Sequence, residues 1–111
     1  MPHRIRPVYE IKANLFRVLG HPARVRILEL LREGERSVGA LQAELGLESG
    51  GTSQHLAALR QVGLVESRRE GTSVLYRVSD ERVFDLLEAG RALVTRRLEE
   101  QQSMLQELTE S

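Results

Sequence analysis

Apolar positions recur at helical spacing over most of the chain and alternate at strand spacing over one short run, and this contrast divides it. Val8, Ile11, Leu15, Val18 and Leu19 form a first helical stripe with Phe16 beside it, opened by Pro7 and closed by Gly20. A second helix is predicted from Pro22 to about Arg32, with His21 as its cap. Its Val25, Ile27, Leu28, Leu30 and Leu31 are too many for one exposed face, which places it at the centre of the core. After a turn at Glu33-Gly34-Glu35, two shorter helices follow. The first has Ser37 as N-cap, Val38, Leu41 and Leu45 on one face, and Gly46 to end it. The second carries Leu56, Leu59 and Val62 and closes at Gly63.

The period then changes. Leu64 to Arg69 and Ser73 to Val78 are short runs either side of Glu70-Gly71-Thr72, and Val74, Tyr76 and Val78 alternate with Leu75 and Arg77. Gly71 supplies the positive φ that a tight hairpin needs. Two helices joined by a turn and followed by such a ribbon make a winged helix-turn-helix. The predicted fold is therefore mainly α with a small β-hairpin, in the order α-α-α-α-β-β-α, as a single domain over residues 1–111. Residues 1–7 are expected to form a flexible basic arm, 37–63 the helix-turn-helix and 64–78 the wing.

Ser79-Asp80-Glu81 has the composition of a helix start, with Ser79 as the capping residue. The last helix is predicted from about residue 80 to 108. Its Val83, Leu87, Val94, Leu98, Leu105 and Leu108 form a stripe longer than so small a domain covers by itself. Together with the first helix, 8–20, it leaves apolar surface at both ends of the chain, which a second copy would bury in a homodimer. Val8, Ile11, Leu15, Leu87, Val94, Leu98 and Leu105 are the expected interface residues.

Composition changes this picture in three ways. Net charge is zero, yet residues 1–79 hold 12 Lys+Arg against 8 Glu, giving +4, and residues 80–111 hold 4 Arg against 8 Asp+Glu, giving −4. The basic part is the part with the helix-turn-helix and wing, as a double-stranded DNA partner requires. The chain has no cysteine, which excludes disulfides, thiolate redox switches and thiolate metal sites. It has no apolar run of 18 residues and no apolar signal core, so a cytoplasmic location away from membranes is expected.

Candidate chemistry concentrates around the second helix of the helix-turn-helix. The expected DNA-binding set is Ser37, Ser49, Gly51, Thr52, Ser53, Gln54, His55, Arg60, Arg68, Arg69 and Thr72. Ser53 and Gln54 lie near the start of a recognition helix, where base edges are read, and Gln can bond adenine N6 and N7 together. His55 either meets DNA or packs, hydrogen-bonded, under the wing. Strand alternation implies that only one of Arg68 and Arg69 need face DNA. Gly50-Gly51 is expected to form the turn, with the helix starting near Thr52. No nucleophile–base pairing, phosphate loop or paired-carboxylate motif suggests catalysis, and no catalytic residue, metal site or cofactor is expected. The same fold could instead serve as a protein-interaction module with weak DNA binding.

Leu19-Gly20-His21-Pro22-Ala23-Arg24-Val25-Arg26-Ile27-Leu28 resembles the opening motif of the ArsR/SmtB family of bacterial winged-helix repressors. Ser37-Val38-Gly39-Ala40-Leu41, Thr52 to Arg60, Gly63-Leu64-Val65, Arg68-Arg69-Glu70-Gly71 and Tyr76-Arg77-Val78 continue the resemblance in order, so that it covers roughly residues 12–100. It implies a homodimer built on the first and last helices, bound to an operator and released by an effector. The departures are as informative. Where thiolate metal sensors of the family carry Cys-x-Cys, this chain has Ser37 and Gly39. Where its zinc sensors pair acids with histidines on the last helix, Asp85 and Glu88 are present but no histidine lies beyond His55. Gly50-Gly51 stands where the family usually has Ser, Thr or Ala. The effector is not legible: an organic ligand in a dimer pocket and no ligand at all both remain open.

Overall fold

The computed structural model describes residues 5–46 and 51–110. Among these described residues, five helices and three strands follow one another as α1 (Val8–Leu19), α2 (Pro22–Leu30), β1 (Arg36–Ser37), α3 (Val38–Leu45), α4 (Gly51–Gln61), β2 (Val65–Glu70), β3 (Ser73–Val78) and α5 (Arg82–Glu110). The C-terminal end of α2 tightens into a 3-10 turn, Leu31–Glu33.

α2 is the element around which the others pack. Its Ile27, Leu28 and Leu30 are buried, as is Leu31 in the following turn. They meet Val18 of α1, Leu41 of α3, Leu56 and Leu59 of α4, Leu64 and Val65 at the start of β2, and Val83 of α5. The core is aliphatic, and α2 contacts every other helix. The local signals act as the sequence suggests. His21 Nδ1 accepts the Ala23 N–H at 3.1 Å and caps α2. Ser37 Oγ accepts the Ala40 N–H at 3.1 Å and caps α3. Gly46 ends α3 in the left-handed region, with φ 65°.

The elements differ from expectation in several places, the smallest being Glu70, expected in the turn, which pairs with Ser73 as the last residue of β2. The sheet has three strands in the order β1-β3-β2, because Arg36 and Ser37 pair antiparallel with Tyr76 and Leu75. Two residues without apolar alternation carry no strand signal of their own; β3 supplies the pairing. At the start of α5 the capping side chain is Asp80. Its carboxylate accepts the Arg82 N–H at 2.9 Å, and hydrogen bonds from the Arg82 guanidinium and backbone hold its pKa down at about 2. Ser79, expected in that role, instead donates its hydroxyl to the Gly63 carbonyl and fastens the end of the hairpin to the end of α4. Gly51 is already helical, so that glycine lies within α4 and not in the turn. Gly50, with Ser49 and the start of the N-terminal arm, lies outside the described residues.

Candidate nucleic-acid interface

α4 divides lengthwise into two faces. Thr52, Leu56 and Leu59 are fully buried. Ser53, Gln54, Ala57, Arg60 and Gln61 are exposed and share the opposite face. The split places the candidate residues individually. Ser53 and Gln54 stand at the solvent-facing start of the helix, with Arg60 two turns on. Thr52, expected among the DNA contacts, has no surface from which to meet a duplex: it stands one and two turns before Leu56 and Leu59 and belongs to their buried row. Ala57 and Gln61 were not in the expected set, although their spacing of three and seven from Gln54 puts them on its face.

His55 is half-buried, but not under the wing. Its Nδ1 accepts from Arg24 Nε at 3.1 Å, and its ring lies 4.4 Å from that of His21. Arg24 also donates to the Val18 carbonyl at 3.1 Å, so the group ties α1, α2 and α4 together. Burial holds the His55 pKa below its ordinary value, and the neighbouring His21 and Arg24 charges act in the same direction.

In the wing, register separates the arginines. Val65, Ser67 and Arg69 stand opposite Val78, Tyr76 and Val74 on one face, and Glu66, Arg68 and Glu70 stand opposite Arg77, Leu75 and Ser73 on the other. Arg68 is engaged by two carboxylates. Its Nε and Nη2 each donate to Glu35 at 2.8 Å, and Nη2 lies 2.9 Å from Glu70 Oε2. The bond from Arg68 holds the Glu35 pKa below the usual carboxylate value. Arg77 pairs with Glu66 at 2.6 Å. The side chains of Arg69 and Arg60 are exposed and form no ion pair or side-chain hydrogen bond with a described residue. The hairpin loop is Gly71-Thr72, and Gly71 has φ 60°. Only the first loop residue has positive φ, the type II′ pattern. The tip folds back beside the start of α3: Ser37, Gly39, Thr72 and Ser73 line one recess of 360 Å³, which brings together two candidates separated by 35 positions.

The expected dimer residues fall into two groups. Val8, Ile11, Val94, Leu98 and Leu105 are exposed, with Tyr9, Phe16, Leu93, Met104 and Leu108 beside them. Leu15 and Leu87 are half-buried and pack against the chain's own core. Among the described residues no group of three metal-ligating side chains occurs, and no helix is long and apolar enough to cross a membrane.

The family model described as bacterial regulatory protein, arsR family, matches residues 21–67, from the cap of α2 into the wing. The HTH-type transcriptional regulator Rv0081 of Mycobacterium tuberculosis is 43% identical over 103 residues, 92% of this chain and 90% of that protein. The chain belongs to the arsR family of bacterial regulatory proteins. Its fold agrees with that of solved relatives. The crystal structure of Rv0081 superposes with a TM-score of 0.79 over 87% of this chain and 98% of that one. The solution structure of the homodimeric winged helix-turn-helix DNA-binding domain Mb0332 from Mycobacterium bovis, 35% identical, gives 0.76 over 84% of this chain and 86% of that one. The biofilm growth-associated repressor of Agrobacterium fabrum is 40% identical over 77 residues, 69% of this chain and 66% of that protein. As an arsR-family member with α3, α4 and the wing in place, the protein is a DNA-binding transcriptional regulator.

Proposed function

We propose that the protein is a cytoplasmic homodimeric repressor that binds an inverted-repeat operator. The observation that carries this reading is the two-sided construction of α4: one face is locked into the core by Thr52, Leu56 and Leu59, and the other offers Ser53, Gln54, Ala57, Arg60 and Gln61 to solvent. Gln54 reads an adenine edge, with Ser53 beside it, and the small Ala57 permits close approach and packs against a thymine methyl group. Arg60 and Arg69 take phosphates, since neither is held by a carboxylate of a described residue. The recess between Ser37 and Thr72 seats the backbone beside the N-terminus of α3, where unpaired N–H groups favour an anion.

Pairing of the exposed stripes of α1 and α5 with those of a second copy sets two α4 helices about 34 Å apart, one turn of the duplex. The Mycobacterium bovis domain is homodimeric and the Agrobacterium fabrum relative is a repressor, and both properties are carried over here. Occupancy of the operator then blocks transcription.

Fluorescence anisotropy on the duplex upstream of the protein's own gene, with random duplex as competitor and salt varied, tests the reading. Binding is expected to be selective and to weaken steeply with salt, because phosphate contacts release counterions. Binding no tighter than to random duplex, and insensitive to salt, would reject it in favour of a protein-interaction role.

A further inference from the structure

The ion pair between Glu35 and Arg68 joins parts of the fold that do not otherwise touch at that point. Arg68 is in β2 and Glu35 immediately precedes β1, and these two strands lie on opposite sides of β3. Leu75 of β3 stands between them, opposite Arg68 on one side and Ser37 on the other. The Arg68 side chain therefore reaches across the central strand, a width of about 10 Å from outer strand to outer strand. It ends in a two-pronged contact with both Glu35 oxygens at 2.8 Å. A two-pronged guanidinium–carboxylate contact fixes direction as well as distance. Glu35 lies two residues before Ser37, the cap of α3, so the contact ties the free strand of the wing to the segment that enters the helix-turn-helix.

On the same face the charge of this arginine is already engaged by carboxylates. That face carries Glu35, Glu66 and Glu70 against Arg68 and Arg77, and both arginines are paired with these carboxylates. The other face of the ribbon carries Arg69 without a partner among the described residues.

We infer that Glu35 and Arg68 form a positioning clasp that sets the pitch of the wing, turning the acidic face of the ribbon away from the duplex and presenting Arg69 to a phosphate. This rests on the DNA-binding arrangement proposed above. It makes an acidic residue a requirement for tight DNA binding, the reverse of what charge alone dictates.

The test is Glu35→Gln in the full-length protein, read in two ways. The first is amide hydrogen exchange of the free protein over residues 65–78. The clasp predicts faster exchange in the wing and unchanged exchange in α2. The second is operator binding against salt. The clasp predicts weaker binding and a salt slope flatter by about 1.8, the value for one lost phosphate contact in each half of a dimer. The advantage of the wild-type protein then shrinks about twelvefold between 50 and 200 mM salt. Adding Arg69→Ala to Glu35→Gln should change little further, since the contact it removes is already lost; a substitution that merely lowers stability would leave the Arg69 effect intact. Tighter binding with a steeper slope would show that Glu35 only holds Arg68 away from DNA, and would overturn the clasp. Unchanged exchange in the wing would overturn it independently of DNA. Faster wing exchange in a protein whose wild-type form ignores salt and sequence would leave the clasp standing and reject the DNA-binding arrangement.

Discussion

Replacing Leu98 with alanine tests the dimer directly, because the residue lies on α5 beyond the chain's own core and remains 59% exposed. The substitution removes three carbon groups. At about 0.8 kcal/mol each, full burial of the difference amounts to roughly 2.4 kcal/mol. Only the exposed three-fifths can be covered by a partner, which leaves about 1.4 kcal/mol per subunit. A two-fold interface contains the residue twice, so the expected loss is about 2.8 kcal/mol, a weakening of the dimer of about a hundredfold. Sedimentation equilibrium over a range of protein concentrations measures this constant. Amide exchange in α2 of the monomeric fraction should be unchanged and show the core intact, since Leu98 is not part of the buried cluster. Operator affinity, expressed in total protein, should fall at concentrations where the variant has dissociated and recover at higher ones. A dimerisation constant within threefold of wild type would refute the assignment of α5 to the interface.

Other outcomes follow from the same geometry. Gln54→Ala should relax discrimination at one base pair in each half-site, by about 1–3 kcal/mol, and leave the salt slope unchanged; a competition assay against single-base operator variants measures it. Arg69→Ala should weaken binding to operator and random duplex alike and flatten the salt slope. Ser37→Ala removes the bond to the Ala40 N–H and should lower stability to urea by about 1 kcal/mol. The depressed pKa of His55 means that the unfolded chain binds its proton more readily than the folded one. The stability this contributes is complete above the unfolded pKa, near 6.5, and is lost as pH falls through the lower folded value. The urea midpoint of the wild type should therefore fall more steeply between pH 7 and pH 5 than that of His55→Asn, and parallel profiles would contradict the placement of the ring.

The sequence carries the fold where a pattern repeats often enough to be read. The first four helices, the hairpin and the last helix all follow from apolar spacing bounded by Pro, Ser and Gly. β1 escapes because two polar residues become a strand only when β3 lies beside them. Thr52 was misplaced for a related reason: a threonine in the first turn of a recognition helix suggests a DNA contact, but its position four before Leu56 assigns it to the core. The candidate interface was legible as a set of residues and not as an arrangement. Nothing local distinguishes Arg68 from Arg69, since the carboxylate that separates them is 33 positions away in Glu35. His55 likewise finds its partners, His21 and Arg24, through the packing of α4 on α2.

The length of α5 has a consequence for the unpaired subunit. The helix has 29 residues, about 43 Å, and every residue from 88 to 110 is exposed. A helical segment that buries nothing is only marginally ordered in water, because its stability comes chiefly from packing of an amphipathic face. In the proposed dimer the partner's stripes would cover this segment and lend it order. A subunit without its partner would then present an open, cleavable tail to proteases, so that turnover would fall on the unassembled pool and the amount of regulator would follow the same contact that brings two half-sites within its grip.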